Sequence, residues 1–182
     1  DWARYEWLVK FSDLDFVSPR DARRFMPDIV SALFLDFDGV LTDNRVWTDE
    51  TGIESVVASR GDGFGIAMLK KAGIEIIVIS KERNPVVAAR CKKMDVPYVQ
   101  GVDDKTGILK REQAKRKLDP SQTIFVGNDL NDLPAFPLVG WGVAVSDAMP
   151  EVLAQADFVL SKKGGYGAVR ELCDLILSRK TD

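Results

Sequence analysis

Three short runs, Ala32-Leu-Phe-Leu35, Ile74 to Ile79 and Thr123 to Val126, are almost uninterrupted in apolar character. Each gives way at once to polar chain: Asp36, Ser80 and Gly127-Asn128. A strand with one wet face alternates, whereas continuous apolar runs of this length need cover on both faces, as in a parallel sheet between helices. The intervening segments supply that cover. Asn84-Pro85 pairs an N-cap with proline at the first helical position and predicts a helix to about Met94. Gly73 is placed to end a helix over about Phe64 to Lys71. Further helices are expected over Lys105 to Leu118, from Pro150, and over Ala168 to Leu177. Tyr98-Val99, Trp141 to Val145 and Phe158 to Leu160 read as shorter strands. This alternation predicts an α/β fold with a doubly wound, Rossmann-like parallel sheet, whose ligands bind beyond the carboxyl ends of the strands. Arg45 to Thr48 and Ile53 to Val57 flank Asp49-Glu-Thr-Gly52, the pattern of a β-hairpin with a four-residue turn.

Residues 1–28 differ from the rest. Trp2, Tyr5, Trp7, Leu8 and Phe11 recur at helical spacing, and Ser12 to Asp28 reads as linker. The expected organisation is an N-terminal helix and linker over 1–28, followed by one domain over 29–182, a size suited to a single apolar core.

The sequence contains no histidine. Histidine triads, imidazole bases and His-containing metal sites are therefore excluded, and acid–base chemistry falls to carboxylates. Hard-oxygen cations such as Mg²⁺ become the natural cofactor class. A net charge of −3 gives no reason to expect a nucleic-acid partner. No apolar run is long enough to span a membrane, so no membrane partner is expected. Cys91 and Cys173 lack a C-x-x-C spacing and read as reduced, buried thiols, consistent with a cytoplasmic location.

Asp36-Phe-Asp38-Gly39 carries the strongest chemical signal. Two carboxylates one residue apart at a strand end can divide a phosphoryl transfer into two steps. Asp36 can attack phosphorus, and Asp38 can protonate the leaving oxygen and later deprotonate water. A Mg²⁺ ion between them would neutralise phosphate charge and relieve their mutual repulsion.

With these residues in view, the chain resembles the haloacid dehalogenase superfamily of phosphatases, whose four motifs occur in order. The resemblance implies that Ser80 holds a phosphate oxygen and that Lys105 bridges nucleophile and phosphate. It also implies that Gly127-Asn-Asp-Leu-Asn-Asp132 completes the metal site. Only a hairpin separates the first motif from the Phe64 helix. Asp62-Gly-Phe-Gly65 and Gly164-Gly-Tyr-Gly-Ala-Val-Arg-Glu171 further resemble the capless subfamily of 3-deoxy-octulosonate 8-phosphate phosphatase and its nonulosonate relatives. That likeness, over about Ile29 to Ser178, implies a β-hairpin flap in place of a cap and a sugar-acid phosphate substrate. It also implies a homotetramer formed through the 45–57 hairpin, with Asp62 and Gly63 near the substrate. Val46 and Trp47 would otherwise leave an apolar patch exposed.

Departures from the pattern sharpen the expectations. Ser80 is followed by Lys81-Glu82, where octulosonate enzymes carry Gly-Arg; Glu82 would repel a carboxylate and accept bonds from sugar hydroxyls. This favours a nonulosonate 9-phosphate, such as an N-acylneuraminate 9-phosphate, with octulosonate 8-phosphate as the alternative. Asn128 stands where the fourth motif usually has its first aspartate, so either Asn128 or Asp129 ligates the metal, with Asp132 in support. Arg90 and Arg170 are candidates for gripping a substrate carboxylate. Asp1-Trp-Ala-Arg-Tyr-Glu-Trp7 resembles the closing helix of acylneuraminate cytidylyltransferases, which would make the chain the phosphatase part of a fusion. A non-catalytic oligomerisation or regulatory module of such a synthetase is the competing reading. It leaves the joint presence of Asp36, Asp38, Ser80, Lys105 and Asp132 without a purpose.

Overall fold

The computed structural model of the chain describes residues 23–179. The expected helix over Trp2 to Phe11 lies outside them. The elements, in chain order, begin with β1 (Ala32–Leu35), β2 (Thr42–Thr48), β3 (Glu54–Ala58), α1 (Arg60–Lys71), β4 (Glu75–Ile79) and α2 (Pro85–Met94). They continue with β5 (Tyr98–Val99), α3 (Lys105–Arg116), β6 (Thr123–Gly127), β7 (Trp141–Ala144), α4 (Pro150–Gln155), β8 (Phe158–Val159) and α5 (Ala168–Ser178). Three-residue-per-turn helices cover Pro120–Gln122 and Leu133–Leu138.

Six strands form one parallel sheet in the order β5-β4-β1-β6-β7-β8, and β2 with β3 forms a separate antiparallel hairpin. The chain leaves β1 toward β4 and β5, then crosses back to β6 on the other side of β1. The carboxyl end of β1 is therefore a topological switch point, where such sheets open a crevice. Right-handed crossovers place α1 and α2 on one face and α3 on the other. In agreement, α1 packs on α5 and α2, while α3 packs on the 133–138 turn. All four residues of β1 are fully buried, as are Ile77, Ile79, Phe125 and Val126 on its neighbours. Each of these side chains larger than Ala32 contributes about 1.5–3 kcal/mol of burial, and this fixes β1 between β4 and β6.

Most elements match their sequence signals. The Asn84 side chain accepts from Val86 N at 2.9 Å, with Pro85 at the first helical position. Gly73, at φ +81°, closes α1 with paired bonds from Gly73 N to Lys70 O and from Ile74 N to Leu69 O. One boundary differs: α1 begins at Arg60, not Phe64, because Ser59 Oγ accepts from Gly61 N at 3.1 Å. Gly61 and Gly63, weak helix formers, obscure that first turn in the sequence.

Residues 23–28 do not behave as linker. Met26 is buried, and Arg24 crosses to the far edge of the sheet. Its guanidinium donates to Asp157 Oδ2 at 2.6 Å, to Phe136 O at 2.8 Å and to the Val139 carbonyl. The Arg24 N–H donates to Asp157 Oδ1 at 3.0 Å, and Gly142 N–H donates to Asp157 Oδ2 at 2.7 Å. Burial pushes the Asp157 carboxyl up, but these donors outweigh it and hold its pKa below the ordinary value. A carboxylate depressed in the folded state stabilises the fold above its unfolded pKa and loses that contribution as pH falls. Arg24→Ala is therefore expected to cost about 2 kcal/mol at neutral pH, discounted for the partial exposure of the arginine. The difference from the parent should narrow below about pH 4, as urea unfolding across pH will register.

Candidate active site

The sheet's carboxyl edge gathers the site from distant parts of the chain. Asp36 follows β1, with its N–H bonded to Val126 O of β6 at 3.0 Å. Ser80 follows β4, Lys105 opens α3, and Asn128 to Asp132 follow β6. Asp36, Ser80, Lys105, Asn128 and Asp129, together with Asp38, Asn44, Lys81, Glu82 and Asn131, line a cleft of about 220 Å³.

Lys105 organises the floor. Its ammonium lies 2.6 Å from Asp36 Oδ1 and 2.7 Å from Asp132 Oδ1, and all three side chains are nearly closed to solvent. Asp104 aims the lysine by capping α3, its Oδ1 accepting from Thr106 N and Gly107 N at 3.0 Å each. Asp132 turns its other oxygen to Asn128 N at 2.9 Å and Asp129 N at 3.2 Å, which ties the β6 loop to the same cation. Burial pushes the Lys105 ammonium down, but the two flanking carboxylates prevail and raise its pKa. Burial, then the charge of Asp132, raises the Asp36 carboxyl against the pull of Lys105. Asp38 is raised to about 6, chiefly by burial and then by Glu82, against Lys105.

The loop from Phe37 to Thr42 curls tightly, with Leu41 N and Thr42 N both bonded to Phe37 O. Gly39 sits at φ +79°, and any side chain there would collide with the Asn128 amide. Gly164 and Gly165 press on the same loop: a Cβ at Gly164 would overlap the Gly39 carbonyl, and Gly165 N donates to Val40 O at 3.0 Å. The C-terminal glycines thus brace this chain's own D-x-D loop.

One terminal atom of the Asn128 amide lies 2.9 Å from the Asp38 carbonyl oxygen and 3.2 Å from Asp36 Oδ2. As nitrogen, that atom donates to both. As oxygen, it makes a cluster of three oxygens that only a cation can hold together. Asp36, Asp38, Glu82 and Asp129 line the cleft against Lys81 and Lys105, with Asp132 behind them on Lys105, so acidic groups outnumber basic ones as a divalent ion requires. The Asp36 carboxylate, the Asp38 carbonyl and the Asn128 amide are a donor set that fits Mg²⁺. Asp129 is more exposed and turns its Oδ1 to Leu130 N at 2.6 Å.

Ser80 is buried at the cleft, its Oγ accepting from Glu82 N at 3.0 Å, which leaves the hydroxyl proton to donate. Glu82 Oε1 accepts from Arg83 N at 2.6 Å and Asn84 N at 2.8 Å, so its charge is fixed at the cleft wall ahead of α2.

Four expected site residues are not brought to this cleft. Asp62 is fully buried between α1 and α5, where its Oδ1 accepts from Arg170 N at 2.8 Å. It caps α5, whose own N-cap, Gly167, has no side chain to do so. Gly63 faces Arg90 and Met94, and Gly65 meets Arg170 and Cys173. The Asp62-to-Gly65 segment thus packs α1 against α5 and α2, outside this cleft. Arg90 donates to Ser59 O at 2.8 Å. Arg170 pairs with Asp174 at 2.8 Å and lies over the Phe64 ring.

Comparison with known proteins agrees with this architecture. A family model described as haloacid dehalogenase-like hydrolase matches residues 98–172. The 3-deoxy-D-manno-octulosonate 8-phosphate phosphatase of Escherichia coli K12 is 36% identical over 149 residues, covering 81% of this chain and 79% of that protein. A HAD family hydrolase from Streptomyces avermitilis superposes with a TM-score of 0.83 at 44% identity, covering 88% of this chain and 100% of that one. The octulosonate 8-phosphate phosphatase of Moraxella catarrhalis, in complex with magnesium, phosphate and KDO, gives a TM-score of 0.80 at 32% identity, covering 82% and 87%. The chain belongs to the haloacid dehalogenase-like hydrolases. Within that family it is a phosphatase of the octulosonate 8-phosphate phosphatase type, a phosphoric monoester hydrolase.

Two outcomes follow from the geometry. Asn128→Asp should tighten Mg²⁺ binding about tenfold in titration calorimetry and lower the melting temperature of the metal-free protein, since a further carboxylate joins the cluster. An unchanged affinity would mean that residue 128 does not face the ion. Asp62→Ala should cost about 1–2 kcal/mol in denaturant unfolding, the loss of a helix cap, with Mg²⁺ affinity retained.

Proposed function

We propose that the chain hydrolyses the terminal phosphate of a long-chain 2-keto sugar acid through an aspartyl-phosphate on Asp36. The observation that carries this reading is the buried Asp36–Lys105–Asp132 bridge at the switch point of the sheet. A solvated D-x-D turn has no use for a lysine held between two carboxylates. Asp36 is positioned to attack phosphorus, with Lys105 fixing its orientation and offsetting charge on the incoming phosphate. Ser80, with its proton free, donates to a phosphate oxygen. Asp38, half-buried and raised by its surroundings, protonates the leaving hydroxyl and later takes a proton from the attacking water. Mg²⁺ is the cofactor; Asp36, the Asp38 carbonyl and Asn128 would hold it, and when bound it would neutralise charge on the phosphate. Asp129 stands next to that shell and Asp132 supports it through Lys105 and the loop amides.

For the substrate, octulosonate 8-phosphate comes first, because the curated relatives act on it and the Moraxella neighbour holds the corresponding sugar acid. A nonulosonate 9-phosphate is the second reading. It is favoured by Glu82, whose fixed negative charge at the cleft wall suits hydroxyls better than a carboxylate. The hairpin supports a homotetramer: Val46, Trp47, Ile53 and Val57 are all more than half exposed on it. Their burial against other copies would remove that apolar surface from water.

Phosphate release with Mg²⁺ against both substrates tests this reading. Turnover of at least one is expected, with Asp36→Asn reducing it by more than about a thousandfold, as loss of a covalent nucleophile does. Failure on both substrates would sink the sugar-acid assignment. Activity surviving in Asp36→Asn would sink the role of Asp36.

A further inference from the structure

The loop after β7, residues 145–149, lines no part of the cleft, yet it is bonded to both segments that enclose the D-x-D loop. Met149 N donates to Asn128 O at 2.8 Å, on the β6 loop. Ser146 N donates to Lys162 O at 3.1 Å, on the approach to the C-terminal glycines. Asp147 completes that second connection, its Oδ1 accepting from Gly164 N at 3.0 Å. Gly164 and Gly165 in turn press on the D-x-D loop, whose Gly39 meets the Asn128 amide. The contacts therefore close on themselves, from Asn128 through the D-x-D loop, the glycine turn and the β7 loop back to Asn128. The hydrogen bonds of Met149, Ser146 and Gly165 in this circuit run between backbone groups. The bond to Asp147 is made by a side chain, so a substitution can remove it.

Two more ordinary roles for Asp147 fit poorly. A carboxylate just ahead of a helix commonly caps it, but the N-cap of α4 is Met149 and no side chain caps that helix. An exposed carboxylate is commonly solvated, but this one bonds to a buried glycine 17 positions along the chain. The Gly164 N–H needs an acceptor because it is shut in against the Gly39 carbonyl. A carboxylate is the stronger kind of acceptor for it. Without Asp147 the turn would have to move outward to bond water, away from the loop it braces.

We infer that Asp147 is a positioning residue for phosphoryl transfer. By holding Gly164 it keeps the C-terminal turn against the D-x-D loop, and so fixes Asp36 and Asp38 relative to Asn128. It lies outside the cleft and acts only through the glycines. This rests on the phosphatase reading of the site but not on the identity of the sugar acid. Small displacements of reacting groups cost rate steeply, so a single hydrogen bond at this distance from the chemistry can matter to turnover.

The test compares the parent, Asp147→Ala and Asp147→Asn in two assays. Asp147 is exposed, so its truncation leaves the core intact. The first assay measures kcat and KM with Mg²⁺ on p-nitrophenyl phosphate and on octulosonate 8-phosphate. Asp147→Ala is expected to lower kcat about tenfold on both esters with KM within about twofold, since alignment is lost and no substrate contact is. Asp147→Asn keeps an acceptor oxygen and should restore kcat to within about threefold of the parent. The second assay follows amide hydrogen exchange in the peptide spanning residues 37–42. Exchange there should be faster in Asp147→Ala than in the parent, and unchanged in Asp147→Asn. A lower melting temperature in Asp147→Ala with parental kcat and parental loop exchange would overturn the inference. So would an Asp147→Asn as impaired as Asp147→Ala, which would assign the effect to charge and not to the bond. A parent that turns over neither ester would refute the phosphatase reading, and loop exchange would still decide whether Asp147 holds the loop.

Discussion

The rest of the site depends on one buried ammonium. Lys105 is shared between Asp36 and Asp132, at 2.6 and 2.7 Å, and it joins three segments that are far apart in the chain. Without it, two carboxylates would face each other in a desolvated pocket, and one would take up a proton. With it, the Asp36 carboxyl is drawn down against the effects of burial and of Asp132, and Asp132 is free to hold the β6 loop by two backbone amides. The sheet provides the reach: β1 lies between β4 and β6, so their ends cannot separate without exposing fully buried strands. Catalytic geometry here is thus a consequence of packing at a topological switch point.

Close backbone approach is the second requirement. The D-x-D loop is enclosed by Asn128 on one side and by the Gly164-Gly165 turn on the other, with no room for a Cβ at Gly39, Gly164 or Gly165. The C-terminal turn therefore carries information to the site without contributing a side chain to it. Asp62 extends this bracing by capping α5, the helix that follows the turn. These contacts set the loop in place before any ligand arrives, which is what electrostatic preorganisation demands.

Much of this was legible in the chain itself. Continuous apolar runs ending at Asp36, Ser80 and Asn128 announced a buried parallel sheet and marked its functional edge, because strand burial leaves a periodic signal. Asn84-Pro85 and Gly73 set helix ends through local chemistry, which sequence also records. What sequence concealed was non-local. Nothing near Arg24 indicates Asp157, more than a hundred positions away, so a part-buried clamp read as linker. Asp62 caps a helix far along the chain, and a cap supplied from another helix has no local pattern. The oxygen of Asp38 nearest Asn128 is a backbone carbonyl, and sequence names only side chains. The contacts of Arg90 with Ser59 and of Arg170 with Asp174 likewise depend on how the helices pack.

The central claim is that Asp36 becomes covalently phosphorylated in a Mg²⁺-dependent step. Acid quenching during turnover, followed by peptide mass spectrometry, tests it most directly. The expected result is one added phosphoryl group on the peptide containing Asp36, present only with Mg²⁺ and lost on hydroxylamine treatment. A phosphoryl group on another residue, or turnover without any trapped phosphoenzyme under conditions that slow its hydrolysis, would contradict the account.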